Sequence, residues 1–139
     1  MATIVLISCV SKKLPRKAKA RDLYISPLFR MNLKYAQQFS PQQIFILSAK
    51  YGLLELDEEI EPYDITLNEM SAYERRRWAD NVVSQLQVHC DLEKDHFVFL
   101  AGEKYRQYLL PHLKSYEVPL AGLGIGKQLG FLKEKTGCE

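Results

Sequence analysis

The residues able to do chemistry fall into four short groups. Cys9 stands close to Lys12 and Lys13. Such an electropositive setting draws a thiol toward the thiolate and toward nucleophilic or peroxide-reactive behaviour, although a small, buried, inert thiol fits the same place. Ser48-Ala49-Lys50-Tyr51-Gly52 follows an apolar run. Gly52 can turn the backbone sharply there, leaving Lys50 and Tyr51 to project as a ligand grip or as an ordinary turn. Glu61-Pro62-Tyr63-Asp64 sets two carboxylates about a ring on a stretch stiffened by proline. Carboxylates beside a glycosidic carbon stabilise oxocarbenium-like charge or act as general base on water, so Glu61 and Asp64 are candidate catalytic groups. The alternative is a core Tyr63 with solvated acids on either side. Gly122-Leu123-Gly124-Ile125-Gly126-Lys127 opens a helix, where free amides, the helix dipole and Lys127 suit an anion such as phosphate.

Other patterns are excluded. Ala121 occupies the first glycine position of a P-loop and Gln128 the magnesium-binding Ser/Thr position, while Gly124, Gly126 and Gly130 have the wrong spacing for a dinucleotide fingerprint. His89, His96 and His112 show no metal-ligand spacing, so neither metal nor cofactor is expected. Trp78, Val82 and Leu86 share a helical face and read as core. Tyr105 suits base stacking or the packing of its own helix.

Positioning these groups requires a framework, and the chain supplies one by alternation. Thr3 to Ser8 is a β-branched apolar run of the kind covered on both faces of a sheet. Ser26-Pro27 caps and opens a helix that Ser40-Pro41 stops. Gln43 to Leu47 is a second strand, followed by a long loop and by the capping box Ser71…Glu74 of a second helix. His96 to Ala101 is a third strand, Glu103 to about Lys114 a third helix, Tyr116 to Leu120 a short strand, and Gly126 to about Lys135 a last helix. This order predicts an α/β fold, a single three-layer domain over residues 1–139 with a mainly parallel sheet of about four strands and flanking helices. In such sheets the site lies beyond the carboxyl ends of the strands. The ends here are polar: Ser8-Cys9-Val10-Ser11-Lys12-Lys13, Ser48 to Gly52, Gly102-Glu103-Lys104-Tyr105, and Gly122 to Gln128.

A chain of 139 residues, 47% hydrophobic and 26% charged, can bury one core and is neither collagen-like nor mostly disordered. Three cysteines with no C-x-x-C pair exclude a disulfide framework and point to the cytoplasm, and no apolar run is long enough for a membrane span. Lys12 to Lys34 holds eight basic residues against Asp22 alone, whereas Tyr51 to Glu74 holds eight acids and no Lys or Arg. The two blocks either face one another or are both solvated surface.

Leu47-Ser48-Ala49-Lys50-Tyr51-Gly52-Leu53-Leu54 followed by Pro62-Tyr63 resembles the L-S-x-x-Y-G-x-L…P-Y signature of the YaaA peroxide-stress protein family. Leu6-Ile7-Ser8 with Lys12 or Lys13 is similar to that family's L-I-S-P-A-K opening, with one residue inserted. The whole chain resembles small uncharacterised bacterial and phage domains akin to YaaA. A more distant likeness runs to the central domain of archaeosine synthase, whose P-C-S-x-x-K is similar to Cys9 and Lys13 and whose P-x-x-x-Y-D is similar to Tyr63-Asp64, without its further Ser and His. The resemblance implies nucleic-acid chemistry, since YaaA is a DNA-binding protein of oxidative stress and archaeosine synthase remodels a base in transfer RNA. The longer YaaA proteins carry helical DNA-binding structure for which this chain has no room.

The expectation is a protein that recognises a nucleobase, nucleotide or nucleic acid, as an enzyme acting on a base or its N-glycosidic bond in modification, DNA repair or defence. Its catalytic candidates are Glu61, Asp64 and Cys9. Its binding candidates are Ser8, Lys12, Lys13, Ser48, Lys50, Tyr51, Gly52, Tyr63, Gly102, Tyr105, Gly124, Gly126 and Lys127. The alternative is a non-catalytic DNA- or RNA-binding oxidative-stress protein that uses the basic block on phosphates.

Overall fold

The computed structural model describes residues 2–10 and 12–137; Ser11, in the polar end of the first strand, and Cys138, the last of the three cysteines, lie outside them. Its centre is β1 (Thr3–Ser8), whose interior residues Ile4, Val5, Leu6 and Ile7 are all buried, so both faces of the strand are covered. Such a strand needs no hydrophobic alternation, because neither face meets water. It is paired in parallel with β3 (Gln43–Ser48) on one side and β6 (His96–Leu100) on the other, with Leu6 opposite Phe45 and Phe99. β7 (Ser115–Glu117) extends the parallel array beyond β6, and β4 (Gly52–Glu55) turns back antiparallel to β3. The sheet order is β4-β3-β1-β6-β7, a mixed α/β architecture with a mainly parallel sheet of five strands.

The helices are set by local signals that hold up in three dimensions. α1 is a single turn at Ala20–Leu23. α2 (Pro27–Ala36) starts with Ser26 Oγ accepting from the Phe29 amide at 3.1 Å and proline at its first position. α3 (Ala72–His89) carries the reciprocal capping box of Ser71 and Glu74, and hydrogen bonds from Ser71 hold the Glu74 carboxyl below its ordinary range. α5 (Ile125–Thr136) packs on α2, with Tyr35 and Phe131 meeting edge to face at 5.6 Å. The chain passes from β1 through α2 to β3, then crosses back over β1 through α3 to β6, so right-handed crossovers place α2 and α3 on opposite faces.

Three sequence expectations are corrected. The stretch after Gly52 is not a bare loop: it holds β4, then β5 (Glu59–Ile60), then a 3₁₀ turn at Leu67–Glu69. Strands of two to four residues leave too short a pattern to separate from loop. The expected helix from Glu103 to Lys114 ends after one turn, α4 (Glu103–Arg106), and resumes as a 3₁₀ turn at Leu110–His112. Pro111 lacks an amide, and its ring crowds the carbonyl four residues earlier, that of Gln107 just past the end of α4. The last strand is Ser115–Glu117 rather than Tyr116 to Leu120, since Pro119 cannot donate to a ladder.

The charged blocks do meet in part. β2 (Ala18–Lys19) pairs antiparallel with β5, putting Lys19 opposite Glu59. Arg21 Nε lies 2.9 Å from Asp57 Oδ1, and the amides of Ala20 and Arg21 donate to Glu58 O and Leu56 O. Part of the basic segment is therefore engaged by the acidic one. No helix among the described residues is long and apolar enough to cross a membrane.

Candidate functional site

The strand order reverses at β1, so the carboxyl ends of β1 and β6 diverge and leave a crevice, the place where open α/β sheets bind ligands. The opening there has a volume of about 920 Å³. Ser8 and Cys9 from the end of β1, Gly102 and Tyr105 after β6, and Lys13 and Asp64 from the flanking loops all line it. These six sequence candidates are brought together.

Four others sit on the opposite, β3 side of β1. Ser48 is fully buried; its Oγ is 2.8 Å from Tyr63 Oη and accepts from the Tyr51 amide at 3.0 Å. Tyr63 Oη is 2.6 Å from Tyr24 Oη, so Ser48, Tyr63 and Tyr24 form one chain of hydroxyls. Burial pushes the phenols of Tyr24 and Tyr63 well above their ordinary value. Trp78 Nε1 donates to Ser48 O at 2.8 Å, and Tyr51 packs edge to face on Tyr63 at 5.7 Å. Gly52, at φ +75°, closes the turn against Gln85, whose Oε1 accepts from the Leu53 amide at 2.9 Å. Tyr63 is thus committed to neighbours within the fold. Lys13 joins the two sides: its Nζ stands 4.4 Å from the Tyr63 ring centre while the residue lines the crevice.

Lys12, Lys50, Glu61 and Lys127 are exposed and do not line the crevice. Lys50 Nζ lies 5.3 Å from the Tyr51 ring, and Glu61 is tied in through its carbonyl, which accepts from Tyr51 Oη at 3.4 Å. Gly124 and Gly126 are exposed at the start of α5, between and beside the lining residues Leu123 and Ile125.

Several polar groups around the crevice have protein partners. Cys9 Sγ donates to Tyr105 Oη at 3.4 Å, which also accepts from the Leu67 amide. Burial first, and then the neighbouring Cys9, raises the Tyr105 phenol above its ordinary value. The Arg106 guanidinium donates to Ala101 O at 2.8 Å, and Gln128 Nε2 to Leu123 O at 2.8 Å. Asn32 is different. It lines the crevice from α2, is 5% exposed, and its buried Oδ1 has no hydrogen-bond partner. An unsatisfied buried acceptor costs about 1–3 kcal/mol, so its presence calls for a reason. Two exposed apolar side chains, Ile65 and Ile125, stand on the same crevice.

Sequence reasoning passed over Asn32, Ile65 and Ile125. A signal for the first was available: Asn32 falls between Leu28 and Tyr35 on the apolar face of α2, where a polar residue is out of pattern. The two isoleucines gave none, since exposure is not written in sequence. Among the described residues no group of three or more His, Cys, Asp or Glu is placed to hold a metal ion.

A family model matches residues 4–134, and the chain belongs to that family, DUF6884, a family of unknown function. No curated protein and no solved structure matches it.

Proposed function

Membership of a family without an assigned activity leaves the crevice as the basis, and we propose that it binds a nucleobase or nucleotide and that the protein acts on the base or its N-glycosidic bond. The observation that carries this reading is Asn32, which lines the crevice at the strand-order reversal and whose buried Oδ1 has no hydrogen-bond partner. An amide side chain reads a base edge by accepting from an exocyclic amine or ring N–H and donating from its own nitrogen. Ile65 and Ile125 offer apolar surface for the faces of a planar ring. A volume of about 920 Å³ suits a ligand of nucleotide size. Of the two candidate carboxylates Asp64 lines the crevice, and in this reading it takes a proton from the water that attacks the glycosidic carbon, while the base departs with a proton returned through Asp64 or solvent. The resemblance to YaaA and archaeosine synthase points toward the same chemistry.

The test is a thermal-shift screen against nucleobases, nucleosides, nucleotides and short oligonucleotides, since a ligand that binds the folded state raises Tm. Stabilisation by one base class, lost in Asn32→Leu, is expected, together with release of free base that Asp64→Asn abolishes while binding persists. Stabilisation by oligonucleotides alone, fading as salt rises, would replace this reading with phosphate-driven nucleic-acid binding.

A further inference from the structure

The amino end of α5 is open in a way the chain itself does not require. α5 is 12 residues long, and its N-cap, Gly124, brings no side-chain oxygen to the first-turn amides. Among the described residues no protein group takes the N–H of Ile125, Gly126 or Lys127; the first amide bonded there is that of Gln128, to Gly124 O at 2.9 Å. Such amides, with the positive end of the helix dipole behind them, bind anions. The glycines are not explained by the backbone, because Gly124 has φ −71°, which any residue adopts, and Gly126 sits inside a helix that alanine would favour. Nor does packing explain them, since a Cβ at either would meet nothing within 4 Å. A ligand brought against the backbone accounts for both.

A second observation comes from a different element. α2 packs on α5 and contributes Asn32, whose buried Oδ1 lacks a partner, to the same crevice that Leu123, Ile125 and Gln128 line from the α5 side. One end of the crevice thus offers amide donors suited to an anion, and its α2 wall holds Asn32, whose buried carbonyl oxygen has no donor. We propose that the ligand carries a phosphate monoester seated on the α5 amides, with its base toward Asn32, so that the ligand class is a nucleoside monophosphate. This rests on the nucleobase reading above and narrows it. Of the three residues with free amides, Ile125 lines the crevice, and Gly126 and Lys127 follow it in the first turn of α5.

Calorimetric titration with a nucleoside, its 5′-monophosphate and inorganic phosphate tests it. The protein is expected to bind the monophosphate at least about tenfold more tightly than the nucleoside, about 1.4 kcal/mol. Gly124→Asp should bring that ratio toward one, because its carboxylate caps the amides and repels phosphate. Gly126→Ala, which favours the helix, should lower it as well by filling the approach. Equal affinity for the two ligands, or a ratio unmoved by both variants, overturns the phosphate seat and leaves the nucleobase reading standing if Asn32→Leu still abolishes nucleoside binding. If inorganic phosphate alone binds, and Gly124→Asp removes it, the seat stands and the nucleobase reading falls. Silence from all three ligands overturns both.

Discussion

The carboxyl edge of the sheet differs on the two sides of β1. On the β3 side, Ser48, Tyr63 and Tyr24 join their hydroxyls, Trp78 bonds the Ser48 carbonyl, and Gly52 lets the chain turn against Gln85. Polar groups there have found one another and fill each other's hydrogen-bonding positions. On the β6 side, β1 and β6 separate into a crevice whose wall holds an acceptor with no partner and whose rim holds exposed Ile65 and Ile125. The difference is why the ligand is proposed on the open side: a satisfied network holds a fold in one arrangement, whereas an unsatisfied buried group is a cost that binding can relieve. Lys13, over the Tyr63 ring and on the crevice, is the residue through which the filled side bears on the open one.

The largest expected effect is at alkaline pH. Burial raises the phenols of Tyr24, Tyr63 and Tyr105 above the ordinary value of 10.0, so the folded chain keeps protons that the unfolded chain releases. Their contribution to stability is therefore complete below about pH 10 and is lost as the pH rises beyond it. Phenolate absorbance from these rings should appear together with loss of the far-ultraviolet circular dichroism signal. Ionisation of all the tyrosines in an intact fold would mean that the filled side is not filled.

Next comes Gly52→Ala. The left-handed φ and a Cβ driven into Gln85 Oε1 should cost about 2–4 kcal/mol in urea unfolding. A loss below about 0.5 kcal/mol would show that the turn tolerates rearrangement. Asn32→Leu, on the open side, is expected to leave stability unchanged or to raise it by about 1 kcal/mol, because it removes an unpaired buried acceptor at similar volume. Destabilisation by more than about 1 kcal/mol would place Asn32 with the structural network and erase the contrast. The smallest effects belong to Lys50→Ala, Glu61→Gln and Lys127→Ala, each exposed and off the crevice, with stability within about 0.5 kcal/mol of the parent. A strong loss of ligand binding in any of them would move the site outward from the crevice.

Much of the framework was legible in local signals. The apolar run of β1, the Ser26-Pro27 start of α2 and the capping box of α3 each stand where the sequence puts them. Short elements escaped: β4, β5 and the truncated α4 are two to four residues long, and tertiary contacts decide them. The site was legible only in part. Ser8, Cys9, Lys13, Asp64, Gly102 and Tyr105 do come together, yet the most recognisable motif, Ser48 to Gly52 with Tyr63, belongs to the filled side. A motif records which residues sit near a strand end, and does not record whether a neighbour from another loop already occupies their hydrogen bonds.

The sequence by itself determined that strands and helices alternate and that polar segments follow the strands, because hydrophobic period, capping and proline act over a few residues. Only the tertiary structure decided which side of β1 is filled and which is open. Tyr24, Ser48 and Tyr63 come from three separate segments, and Asn32 shares the crevice with the start of α5 only because α2 packs on α5. Whether a polar group is satisfied depends on what long-range folding brings beside it, and local sequence does not carry that information.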